Sequence, residues 1–174
     1  MQLPSREQAI ELLKDVGCEP KVINHCLAVT DFALQIANRL KVKGVRIDLQ
    51  LVEAGAILHD IGRSKTHGID HSLVGAQIAQ QKGLPTPIIN IIKRHIGAGI
   101  TDDEAAWLEW PRDIYVPQTL EEKVVCYADK RIDHDRVVPI EEEIKKLKSQ
   151  GFDEGAERVR NLHDEITQML GETP

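Results

Sequence analysis

Leu51-Val52-Glu53-Ala54-Gly55-Ala56-Ile57-Leu58-His59-Asp60-Ile61-Gly62 is a mostly apolar run that ends in an adjacent histidine and aspartate. Its first eight residues predict a buried helix. Burying His59 and Asp60 at the end of such a helix is costly unless they are paired or bind a metal. Together they offer an imidazole nitrogen and a carboxylate able to bridge two cations. Gly62 stands where a helix-ending residue tolerant of positive φ is expected. The carbonyl end of the helix also carries partial negative charge, which favours a nearby cation.

Outward from this stretch, helix signals recur and strand signals do not. Ser5 with Gln8 is a capping-box pattern, and Gly17 closes a short first helix. Pro20 opens a second, with Val22, Ile23, Cys26, Val29, Ala33, Ile36, Ala37 and Leu40 at helical spacing and Gly44 at its end. Asp48 caps the helix leading to His59-Asp60, and Asp70 is expected to cap another that starts at His71 and ends at Gly83. Thr86 and Pro87 start a helix reaching His95. Residues 97–118 read as one long irregular stretch with Trp107 and Trp110, either a lid or a structural crossover. Thr119 with Glu122 opens a helix containing Asp129. Pro139 and Asp153 start two last helices, over 139–170, expected to form a peripheral hairpin whose charged run is a solvated face.

The expected class is all-α: a single compact helical bundle over 1–174 with a C-terminal helical hairpin. Hydrophobic residues make up 41% and aromatic ones 3%, so aliphatic packing must form the core. A net charge of -6 argues against general nucleic-acid binding but leaves room for one anionic ligand in a local basic site. The polar opening Met1-Gln2-Leu3-Pro4-Ser5-Arg6-Glu7 is unlike a secretory signal, and no stretch approaches the ~20 apolar residues of a membrane span. Cys18, Cys26 and Cys126, odd in number and without a CxxC pair, read as free thiols in a reducing, cytoplasmic setting.

His25, His59, Asp60, His71, His95 and Asp129 are the chemically suggestive set. Apart from the adjacent pair, each falls on a different predicted helix beside core-facing apolar residues, the usual way a bundle builds a metal centre. His134 and His163 read as ordinary hydrogen-bonded histidines.

The order of these residues, with His59-Asp60-Ile61-Gly62-Arg63, His71-Ser72-Leu73-Val74-Gly75-Ala76-Gln77-Ile78 and Ala128-Asp129, resembles the HD superfamily of metal-dependent phosphohydrolases in its HDIG subgroup. The resemblance runs from about residue 20 to about residue 135. It implies that His25, His59, Asp60 and Asp129 hold one divalent ion. His71 and His95 would ligate a second, bridged by Asp60, or else serve the substrate. Imidazole and carboxylate suit Fe, Mn, Zn, Ni or Co without singling one out.

The resemblance also places Arg63 where the family carries a basic residue after its motif, suited to phosphate oxygens. Asp60, Arg63 and His67 are the catalytic candidates, with His67 as proton donor to a leaving alkoxide. Arg63, Lys65, Arg94 and Lys130 are the substrate-binding candidates. The implied substrate is a small phosphate ester, a nucleotide or cyclic nucleotide. Two other functions fit the pattern: a mixed-valence di-iron oxygenase of the same fold, and a non-enzymatic nucleotide-binding or interaction module. No membrane partner is expected, while Trp107, Trp110 and the hairpin offer surface for a homo-oligomer.

Overall fold

Local chemistry sets most helix ends, and the computed structural model, which describes residues 2–172, shows each of them. The elements are α1 (Arg6–Asp15), α2 (Pro20–Val42), α3 (Leu49–Leu58), a 3-10 turn (Ile61–Ser64), α4 (His71–Gln81), α5 (Thr86–Arg94), α6 (Asp102–Trp107), α7 (Leu120–Lys130), β1 (Ile132–Asp133), β2 (Arg136–Val137), α8 (Ile140–Ser149) and α9 (Asp153–Leu170). Ser5 and Gln8 close a reciprocal capping box on α1, as do Thr119 and Glu122 on α7. Asp48 accepts from the amides of Gln50 and Leu51 at the start of α3. No described helix is long and apolar enough to cross a membrane.

Two adjoining cores hold the bundle. One joins α2, α7, α8 and α9 through Val29, Ala33, Leu40, Val124, Ile140 and Ile166. The other joins α1, α3 and α5 through Leu13, Ile57, Leu58, Ile61, Ile88 and Ile92. The C-terminal hairpin is therefore not peripheral: Ile140, Ile144, Val159 and Ile166 pack into the same core as α2 and α7.

Four sequence expectations are corrected. Gly62 does not end α3 with a positive φ; it lies in the 3-10 turn, where α4 crosses closely. A Cβ there would overlap the His71 carbonyl oxygen and come within 2.6 Å of the Gly75 amide nitrogen. Asp70 does not cap α4 with its side chain, because its carboxylate accepts instead from Thr66 Oγ1 at 3.0 Å. Residues 97–118 are not wholly irregular: α6 is opened by a Thr101–Glu104 capping box, and Ile100 bridges to Tyr115. Finally, a short antiparallel hairpin, β1–β2, turns at His134 with a φ of 58°.

Candidate metal centre

Five helices deliver the six predicted ligands to one place. His25 comes from α2, and His59 and Asp60 follow the last turn of α3. His71 is the first residue of α4, His95 caps the C-terminus of α5, and Asp129 lies in the last turn of α7. His59, Asp60, His71 and His95 are buried among otherwise apolar packing.

The backbone orients the rings. His59 Nδ1 lies 2.7 Å from the Ala56 carbonyl, His71 Nδ1 2.7 Å from that of Gly68, and His95 Nδ1 2.6 Å from that of Ile92. A carbonyl only accepts, so each Nδ1 carries the hydrogen and, in the neutral ring, Nε2 keeps a lone pair. His25 makes a longer contact of this kind, 3.4 Å to the His134 carbonyl. The Nε2 atoms converge on the two carboxylates. Asp60 Oδ1 lies 3.0 Å from His71 Nε2 and 3.5 Å from His95 Nε2. Asp129 Oδ1 lies 3.0 Å from His25 Nε2 and 3.4 Å from His59 Nε2.

This arrangement fits a divalent cation. His59 Nε2 and Asp60 Oδ1 are buried without a hydrogen-bond partner. The Nε2 atoms of His71 and His95 stand 3.0 Å apart, two lone pairs facing each other unless a proton or cation lies between them. The donors of His25, His59 and Asp129, and those of His59, Asp60 and His95, each lie within 4.8 Å of one another. Nitrogen with carboxylate oxygen is the donor mixture that first-row divalent metals accept.

Charges inside the cluster are strongly coupled. Burial disfavours ionised Asp129, but Lys130, with His25 and His59 close by, holds it well below the ordinary carboxylate range. Asp60 is held low in the same way, against burial, by His59, His71 and His95. Burial opposes a charge on His59 too, yet Asp60 and its other neighbours raise it well above an ordinary histidine. His95 goes the other way: burial, with His59 and His71 close by, pushes it down to about 4 and keeps the ring neutral.

Three clefts meet at this cluster, and Arg63 lines all of them. One of about 510 Å³ passes His25, Asp60 and the β1–β2 turn. One of about 380 Å³ reaches Asp129 and α8. One of about 680 Å³ runs from His71 and Lys130 along α6 and the α8–α9 hairpin. Arg63 Nε donates to Asp60 Oδ2 at 2.6 Å, and Lys130 Nζ donates to Asp129 Oδ2 at 2.6 Å. His67 lines two of the clefts.

The remaining candidates lie elsewhere. Lys65 reaches back to the Val16 carbonyl at 3.5 Å. Arg94 was expected at the substrate, but its guanidinium is buried and grips both oxygens of Glu122, at 2.8 and 3.0 Å, and the Ile114 carbonyl. Those three bonds commit it to the fold. Sequence reading missed Glu143 and Lys146, which line the clefts from α8. The run of three glutamates followed by lysines there looks like any solvated helix surface, and no local pattern marks those two positions.

Comparison with known proteins gives a family match, sequence relatives and a likeness of fold. A family model described as the HD domain matches residues 22–132. An uncharacterised protein of Methanocaldococcus jannaschii is 44% identical over 166 residues, covering 94% of this chain and 98% of that protein. A tRNA (cytidine(56)-2'-O)-methyltransferase of Picrophilus torridus is 37% identical over 97% of this chain, which spans only 48% of that relative's length. Among solved structures, the HD domain of the L. monocytogenes phosphodiesterase PgpH, in complex with cyclic-di-AMP, superposes with a TM-score of 0.58. It shares 19% identity and covers 92% of this chain and 96% of its own, a likeness of fold.

Proposed function

Because the chain belongs to the HD domain family, we propose that it is a metal-dependent phosphohydrolase acting on a small phosphate ester, a nucleotide or cyclic nucleotide. The observation that carries this reading is the convergence of histidine Nε2 atoms and two carboxylates at the floor of clefts walled by Arg63 and Lys130. In this reading His25, His59, Asp60 and Asp129 would hold one ion, and His71 and His95, with Asp60, would hold a second. Bound ions of this kind supply hydroxide near neutral pH and neutralise charge on a phosphoryl group.

The protein's own groups do the rest. Arg63, a planar fork now spent on Asp60 Oδ2, turns its remaining donors to the non-bridging phosphate oxygens. Lys130 adds a second positive charge on the same wall. His67, at the cleft mouth, gives a proton to the departing alkoxide. The cyclic-di-AMP bound to PgpH and the tRNA methyltransferase name of the Picrophilus torridus relative make cyclic nucleotides and RNA-derived nucleotides the first substrates to assay.

The test is elemental analysis of protein purified without added metal, paired with turnover of those nucleotides. His59→Ala and Asp60→Ala are expected to lose metal and turnover together. Full turnover by either variant would remove this site from the reaction.

A further inference from the structure

The 680 Å³ cleft is lined by two chemically distinct groups of side chains. His71, Arg63 and Lys130 bound it at the metal centre, where an anion is favoured. Trp107, from α6, and Phe152, at the start of α9, line the same cleft. Trp107 is 80% exposed and Phe152 54% exposed.

That exposure is unusual in this chain, which has two tryptophans and two phenylalanines. The other two are used internally: Trp110 packs edge-on to Tyr115 with ring centroids 5.0 Å apart, and Phe32 lies under the Arg131 guanidinium. Among the described residues no aromatic ring packs against Trp107 or Phe152. Their two elements are nonetheless fixed to each other. Arg158 of α9 grips both carboxylate oxygens of Glu104 of α6 at 2.7 Å, one helical turn from Trp107. A cleft lined by cations beside the metal centre and by two exposed aromatic rings matches a ligand that carries both a phosphate and a flat ring.

We propose that Trp107 and Phe152 form a base subsite that selects substrates carrying a nucleobase, with the α8–α9 hairpin, outside the family match, supplying one wall. This rests on the phosphohydrolase reading for its kinetic test but not for its binding test. Stacking on aromatic side chains is tolerant of base identity, so the subsite would favour a nucleoside over a small alkyl group rather than one base over another.

Two diesters with the same leaving group isolate the effect: thymidine 5′-(p-nitrophenyl phosphate) and methyl p-nitrophenyl phosphate. In Trp107→Ala and in Phe152→Ala, KM for the thymidine diester is expected to rise about tenfold, the scale of one base–aromatic stack, with kcat unchanged. The methyl diester should be turned over as by the wild type. Equal losses on both diesters, or no loss on either, would overturn the proposal. Tryptophan emission of metal-free protein titrated with thymidine 5′-monophosphate separates it from the activity it rests on. Quenching that persists in Trp110→Phe, and needs about tenfold more nucleotide in Phe152→Ala, supports the subsite even if neither diester is hydrolysed. Absence of quenching in the wild type overturns it.

Discussion

Asp60 and Asp129, from different helices, use their oxygens in the same way. Asp60 turns Oδ1 to His71 and His95 and Oδ2 to Arg63; Asp129 turns Oδ1 to His25 and His59 and Oδ2 to Lys130. Each carboxylate thus faces imidazoles on one side and a cation at 2.6 Å on the other. The cations hold the carboxylates aimed, and they stand on the walls where a phosphate would enter.

From this arrangement Arg63 and Lys130 should separate. Arg63→Ala is expected to keep its metal and lose roughly 10²–10³ in kcat/KM, the usual loss on removing one donor from a developing negative charge. Lys130→Met leaves Asp129 without its counter-charge and should weaken metal affinity about 10–100-fold, as outer-shell changes do. Metal titration and steady-state kinetics on the same preparations read both effects. Metal loss in Arg63→Ala would place that residue with the ligand support instead.

Gly62→Ala should damage the site without touching a ligand. Its Cβ would meet backbone atoms of His71 and Gly75, which cannot swing aside as a side-chain tip can. Overpacking of this kind costs about 1–3 kcal/mol, and backbone contact puts it at the upper end. Because the displaced segment begins at His71, metal content should fall along with Tm. A variant with wild-type Tm would show that α4 can shift freely.

The cluster was legible in the sequence because its information is local: His59-Asp60 follows an apolar helix, and the other ligands sit beside core stripes. The caps at Ser5, Asp48 and Thr119 were legible for the same reason. Gly62 reads as a helix end but is needed for the close approach of α4, which is a tertiary fact. Helix α6 hid in six residues, too short for an apolar period, although Thr101 and Glu104 carry its capping box. Arg94 reads as a substrate-binding candidate because its partner, Glu122, lies 28 positions away. The cleft walls from α8 depend on how the hairpin docks, which no local pattern records.

That Arg94–Glu122 pair supplies a stability prediction. Glu122 is buried and also accepts from the Gln118 amide at 2.6 Å, so it anchors the start of α7. Arg94→Ala would strand it as a buried charge, costing about 3–5 kcal/mol. Arg94→Met with Glu122→Gln should recover much of that, since no charge remains unpaired. Urea unfolding of both variants checks the difference. KM of Arg94→Ala at a temperature where it is folded should equal the wild type, because the guanidinium does not reach the clefts.

Glu104 gives the pH dependence. Burial raises its carboxyl, but the Thr101 amide and Arg158 outweigh that and leave it below its ordinary value of 4.5. A group depressed on folding adds stability that is fully present above the unfolded value and lost as pH falls through the folded one. Wild type should therefore exceed Glu104→Gln in Tm at pH 7, and the gap should close as pH drops below about 4.5. The pair is partly exposed, so the contribution is about 1 kcal/mol or less, or about 2–4 °C. Glutamine can still serve the Thr101 capping box, so the difference isolates the ion pair with Arg158. Since that pair ties α6 to α9, the same acidification should loosen the wall carrying Trp107. Thymidine 5′-monophosphate should then quench tryptophan emission less at pH 4 than at pH 7, and that change should shrink in Glu104→Gln. A gap in Tm that is constant across this range would mean that the carboxylate charge adds nothing to the fold.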